Sequence, residues 1–221
     1  MKYWLFALIT TFFIINTSAY AGGVSLGATR LIYKSDDKVK QLAIYNSDNK
    51  NEFLMQSWIE DENGNLSRDL AVIPPLVLIK AGGQNSIRLI RNNSGLSSDH
   101  EMVYWLNVKA IPEKNQDSNQ STLQFAITSR IKVFYRPAEL QQGAAEAYRK
   151  LQFRKKEDNI SVFNPTPYYI TLTNIRSGKH TGSSLMLAPK ETRELHMGTS
   201  ETIEADSIND YGGLDHLKID I

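Results

Sequence analysis

The chain has 221 residues, with 25 Lys+Arg against 24 Asp+Glu and no cysteine. A balance this close to neutral creates no field for gathering a polyanion, which sets nucleic acid aside as the main partner. Without cysteine there is no disulfide framework, thiolate metal site or thiol nucleophile, so core burial alone must hold the fold.

Residues 1–21 read as a secretory signal. Lys2 supplies the positive start, residues 3–15 form a thirteen-residue apolar core, and Ala19-Tyr20-Ala21 gives the small-x-small pattern of a cleavage site. A spanning helix needs about 20 apolar residues, so an anchor is the weaker reading. The expected mature chain begins at Gly22, and loss of Lys2 leaves 24 basic and 24 acidic residues.

From Gly22 onward nearly every segment is a short run of alternating apolar residues between turn clusters, and no window keeps a helical period. Runs at 24–33, 39–45, 52–59, 76–79, 85–90 and 102–111 come first. Turn chemistry divides them at Ser35-Asp36-Asp37, Asp48-Asn49-Lys50-Asn51, Asn63-Gly64-Asn65, Ala81-Gly82-Gly83 and Asn92-Asn93-Ser94-Gly95. A seventh run, 122–136, carries Leu123, Phe125, Ile127, Ile131, Val133 and Tyr135 on one face of a strand. It is far longer than the usual strand of about five or six residues, so it either joins two bodies or offers an edge to something else. Seven short strands in about 115 residues predict an immunoglobulin-like sandwich.

Pro137 cannot donate to a ladder and ends the long strand, and 141–145 read as a connection. Shorter runs follow at 151–154, 160–163, 168–174, 185–187, 192–195, 201–205 and 214–219, which predict a second small sandwich. The expected division is 22–138 and 139–221.

No catalytic constellation is present in the sequence. His100, His180, His196 and His216 are dispersed without metal-ligand spacing, and no nucleophile elbow or phosphate loop occurs. The chain is therefore expected to be no enzyme, with neither cofactor nor metal. A carbohydrate-binding adhesin or fimbrial structural subunit is the competing class. Trp58 could stack on a sugar, but a tryptophan inside a strand is expected in the core.

Six segments in order resemble the periplasmic chaperones of the chaperone–usher pathway. They are Gly23-Val24-Ser25-Leu26-Gly27-Ala28-Thr29-Arg30, Ile73-Pro74-Pro75-Leu76, Tyr104-Trp105-Leu106-Asn107-Val108-Lys109-Ala110-Ile111-Pro112, 123–138, Asn164-Pro165-Thr166-Pro167-Tyr168-Tyr169 and Ile208-Asn209-Asp210-Tyr211-Gly212-Gly213. The resemblance implies an all-β chain of two immunoglobulin-like β-sandwich domains in a boomerang arrangement with an interdomain cleft. It implies pilus or fimbrial subunits and an outer-membrane usher as partners, in the periplasm of a Gram-negative bacterium. Leu123, Phe125 and Ile127 match the residues that the family lends to an incomplete subunit; the alternation alone would put them in their own core. Arg30 and Lys132 match the two cations that grip the subunit's C-terminal carboxylate. Glu101, Arg136 and Asp210 match a charge cluster that holds the two domains together. Strict alternation sets Lys132 on the opposite face from Leu123, Phe125 and Ile127, so a bend, bulge or strong twist is expected between them. The loop at 113–121 is short and polar, which fits the short-loop branch of the family. An exposed apolar edge of this kind is also one that a second copy of the chain could cap.

Overall fold

The structure is a computed structural model that describes residues 22–92, 95–96, 99–113, 124–156, 159–198 and 200–221. The expected signal segment, Leu123 and residues 114–121 of the short loop lie outside the described residues.

Nine strands build the first half: β1 (Val24–Leu26), β2 (Arg30–Lys34), β3 (Val39–Asn46), β4 (Phe53–Glu60), β5 (Leu70–Ile73), β6 (Leu76–Ile79), β7 (Gln84–Arg91), β8 (Met102–Pro112) and β9 (Ile127–Arg136). They form one sheet in the order β1-β3-β7-β5 and a second in the order β2-β9-β8-β4-β6. Alternation decides which side chains meet between them. Leu42 and Ile44 of β3, Met55 and Ile59 of β4, Ile87 and Leu89 of β7, and Val133 and Tyr135 of β9 all point into one apolar core.

The second half contains β10 (Gln152–Lys156), β11 (Asn159–Phe163), β12 (Ile170–Ser177), β13 (His180–Thr181), β14 (Leu185–Leu187), β15 (Thr192–Leu195), β16 (Thr202–Ile208) and β17 (Leu214–Asp220). One sheet is β10-β11-β15; the other is β13-β12-β16-β17, with β14 beside β12. Ile160, Val162, Leu172, Ile175, Leu187 and Ile203 fill a core of their own. A 3₁₀ segment, Ala144–Lys150, buries Ala147 and Tyr148 into it where the sequence suggested only a connection.

The structure corrects several expectations. Residues 24–33 are two strands in two different sheets: the Gly27 N–H still bonds Ala43 O at 2.9 Å, and the chain then crosses to lie beside β9. β5 was not among the expected strands; Pro74 and Pro75 separate it from β6. The long strand is shorter than 122–136. Its ladder with β8 ends at the pair Ala110↔Ile127, and residues 124–126 hold no regular structure. Trp58 is not in the core, because Met55, Ser57 and Ile59 take the inward positions of β4 and leave Trp58 half-buried on the outer face. There its indole N–H donates to Glu60 at 2.8 Å.

Candidate functional site

β9 is paired very differently on its two sides. Along β8 it is antiparallel and in unbroken register from Met102↔Tyr135 to Ala110↔Ile127. Along β2 it is parallel, and only from Arg30↔Lys132 to Lys34↔Arg136. Among the described residues no strand covers that second edge at 127–131, because β1 has left for the other sheet. Backbone donors and acceptors on such an edge are a template for a further strand. The side chains there are presented too: Phe125 is 72% exposed and Ile127 69%.

The unbroken register also removes the expected bend or bulge. Lys132 and Ile127 lie on opposite faces of one regular strand, with Ile127 on the side of Ile131, Val133 and Tyr135.

Directly where the open edge meets β2, the pairing of Arg30 with Lys132 sets two cations side by side on the outer face. Arg30 donates from one guanidinium nitrogen to Ile208 O at 2.9 Å, and its Nε is buried without a partner. Its guanidinium lies 5.7 Å from the Phe134 ring, while Lys132 Nζ lies 5.7 Å from the Trp105 ring. Among the described residues neither cation forms an ion pair with a carboxylate. Burial holds both below their usual values; the charge of Arg30 pushes Lys132 further down, whereas Asp210 and Glu101 pull Arg30 partly back up. Two half-buried cations with spare donors and no acid between them are a site for an anion, and a carboxylate suits the fork of Arg30 and the mobile head of Lys132.

The other end of β9 is closed. Arg136 is buried and donates from Nε to Glu101 at 2.6 Å and from its two terminal nitrogens to Asp210 at 2.6 and 2.8 Å. Glu101, 1% exposed, also accepts the Tyr169 N–H at 2.9 Å, and its own N–H donates to Pro167 O at 2.9 Å. Burial pushes the Glu101 carboxyl up against the pull of Arg136. For Arg136 burial opposes the charge, but hydrogen bonds and charges from Asp210 and Glu101 outweigh it and raise the group. These contacts tie the two sandwiches together, since Asp210 and Tyr169 belong to the second and Glu101 and Arg136 to the first. Phe134 adds an aromatic contact to Tyr169, centroids 5.8 Å apart, and the Tyr169 hydroxyl donates to Glu62 at 3.1 Å. Gly212 sits at φ 83°, and a Cβ there would lie 2.5 Å from Thr29 Oγ1, so the β16–β17 turn closes on the first sandwich through a glycine. A cavity of about 470 Å³ remains between the halves, with Arg30, Phe134, Arg136, Tyr168 and Asp210 in its walls.

Of the residues singled out from sequence, Glu101, Arg136 and Asp210 form one cluster, Arg30 and Lys132 another, and Phe125 and Ile127 lie exposed at the open end. Phe134, Tyr169, Glu62 and Trp105 were missed. The outward residues of β9, Arg130, Lys132, Phe134 and Arg136, alternate as regularly as the inward ones, and that second face was the available signal.

Two family models cover most of the chain. Residues 23–141 match "Pili and flagellar-assembly chaperone, PapD N-terminal domain", and residues 146–219 match "Pili assembly chaperone PapD, C-terminal domain". The probable fimbrial chaperone SfmC of Escherichia coli K12 is 38% identical over 97% of this chain and 95% of its own length. The chaperone protein FimC of the same strain is 39% identical over 87% of this chain and 81% of its own. Among solved structures, the periplasmic chaperone SfaE is 39% identical with a TM-score of 0.79, covering 89% of this chain and 98% of that one. The Salmonella enterica SafB chaperone, seen with the SafA pilin, matches at 26% identity and a TM-score of 0.83, covering 92% and 99%.

Proposed function

The chain belongs to the pili assembly chaperone family, and we propose that it grips a fimbrial subunit by adding the open edge of β9 to it as a strand. It is a pilus assembly chaperone that works in the periplasm of a Gram-negative bacterium, with fimbrial subunits and an outer-membrane usher as partners. Residues 1–21 act as the export signal, 22–138 form the domain that carries the donor strand, and 139–221 form the second domain. No step of this work requires bond-making chemistry or a cofactor.

The observation that carries the proposal is the carboxylate-free pair Arg30 and Lys132 at the point where the open edge of β9 begins. A subunit whose C-terminal carboxylate sits between them finds β2 already occupying β9 at 132–136. Its preceding residues can only follow the edge from 131 back to 127. The incoming strand therefore runs parallel to β9, as β2 does. Ladder bonds satisfy both backbones at about 0.5–1.5 kcal/mol each, and Phe125 and Ile127, with Leu123 beyond the described residues, would enter the subunit's incomplete core at about 1.5–3 kcal/mol apiece. Glu101, Arg136 and Asp210 support the site by fixing the second sandwich beside it.

Co-expression of the protein with subunits encoded beside it tests this reading. A 1:1 periplasmic complex that Arg30→Ala and Lys132→Ala each weaken is expected; recovery unchanged by both substitutions would remove the carboxylate anchor.

A further inference from the structure

The charged head of Arg30 is held from across the junction between the sandwiches. Arg30 opens β2 in the first, yet one terminal nitrogen of its guanidinium donates to the carbonyl of Ile208, the last residue of β16 in the second. That bond leaves the other terminal nitrogen and Nε, which is buried without a partner among the described residues. Those two nitrogens form an edge of the guanidinium that a carboxylate can take by two parallel bonds. An untethered arginine side chain keeps many rotamers and must give them up on binding.

The carbonyl that holds it is placed by the β16–β17 turn, residues 209–213. Asn209 closes this turn. Its N–H donates to Gly213 O at 2.9 Å, and its side-chain oxygen accepts the N–H groups of Tyr211 at 3.1 Å and Gly213 at 2.9 Å. Its side-chain amide donates to Asp215 at 3.3 Å. At the far side of the turn Gly212 lies against Thr29, the residue before Arg30, so closely that an added Cβ would come within 2.5 Å of Thr29 Oγ1. One turn therefore meets the anchor at its guanidinium and at its neighbour in the chain. We infer that the β16–β17 turn orients Arg30 for the subunit's carboxylate, with Asn209 and Gly212 as positioning residues that need not touch the subunit. This rests on the anchor role proposed above and deepens it: the grip is completed by the second sandwich. The coupling is reciprocal, so a carboxylate that favours the tethered arginine also favours the docked turn by the same factor.

The probe is a synthetic peptide of alternating valine and serine, made once with a free C-terminal carboxylate and once as the amide. The full chain should bind the acid about tenfold more tightly than the amide. Asn209→Ala frees the turn, and Gly212→Ala drives it off Thr29; each should cut that preference to about twofold while the amide peptide stays within about twofold of its original affinity. Adding Thr29→Ala to Gly212→Ala removes the atom that the new methyl meets and should restore the preference. A preference unchanged by Asn209→Ala and Gly212→Ala overturns the inference. So does equal weakening of acid and amide, which marks a merely structural turn, and so does a Gly212→Ala defect that Thr29→Ala leaves in place. Should Gly212→Ala not fold, Asn209→Ala alone decides by the same ratio. Equal binding of acid and amide by the unsubstituted protein has a different meaning: it fails the Arg30–Lys132 anchor itself, and with it the role of the turn. Absence of binding by either peptide fails both.

Discussion

The two ends of β9 are built in opposite ways. From Lys132 to Arg136 the strand has a neighbour on each side, its side chains are buried or half-buried, and Arg136 is held by two carboxylates. From Ile127 to Ile131 it has, among the described residues, a neighbour on one side only, and Ile127 stands 69% exposed. A sticky edge is a liability in a free protein. Here the closed end keeps the open end straight and in register, so the edge is presented without being ordered anew when a partner arrives. Such preorganisation removes much of the entropy cost of binding.

The largest effect is expected at the closed end. Arg136→Ala leaves Glu101 buried without its counter-charge, and breaking a buried pair in that way costs about 3–5 kcal/mol. Thermal unfolding should show the loss, and limited proteolysis should open the connection between the sandwiches; an unchanged melting temperature would mean that the clasp carries nothing. Ile127→Asp at the open end should do the reverse. Stability should stay within about 0.5 kcal/mol, as for an exposed site, while the subunit complex loses at least the 1.5–3 kcal/mol of one buried aliphatic side chain. Co-purification against unfolding separates the two, and a destabilised free protein would show that Ile127 belongs to its own core.

The junction between the ends is sensitive to pH. Lys132 is held low by burial and by Arg30, and a bound carboxylate would raise it again. Binding then takes up a proton, so affinity should fall as pH rises through the lowered value of the free protein, earlier than for an ordinary lysine. Calorimetry in buffers of different ionisation enthalpy reads that uptake directly, and Lys132→Arg should flatten the profile. The smallest effect is expected from Tyr169→Phe, which removes an exposed bond to Glu62 worth about 0.5 kcal/mol or less and leaves the Tyr169 N–H on Glu101. A larger shift in unfolding would move part of the clasp onto that hydroxyl.

The inward face of β9 was legible because alternation reports which side chains share a face. Where the strand begins was not, since 123–127 continue the same alternation and only the end of the β8 ladder at Ala110↔Ile127 stops it. β5 was missed for a different reason: four residues directly before Pro74 and Pro75 are too short a run for alternation to mark a strand. Arg30 and Lys132 came from the family resemblance alone. Far apart in sequence, they become neighbours through one parallel pairing, and no local pattern encodes that. Trp58 read as a core residue, although its strand turns it outward beside Glu60; Trp105, half-buried against Arg130, was not singled out at all.

The central claim is that 127–131 is an open edge filled by a partner strand. Amide hydrogen exchange along β9, with and without a co-expressed fimbrial subunit, tests it most directly. Amides of 127–131 that face away from β8 should exchange fast in the free protein and become protected in the complex, while those of 132–136 stay protected in both. Protection of the 127–131 edge in the free protein, or its continued exchange in the complex, would contradict the account.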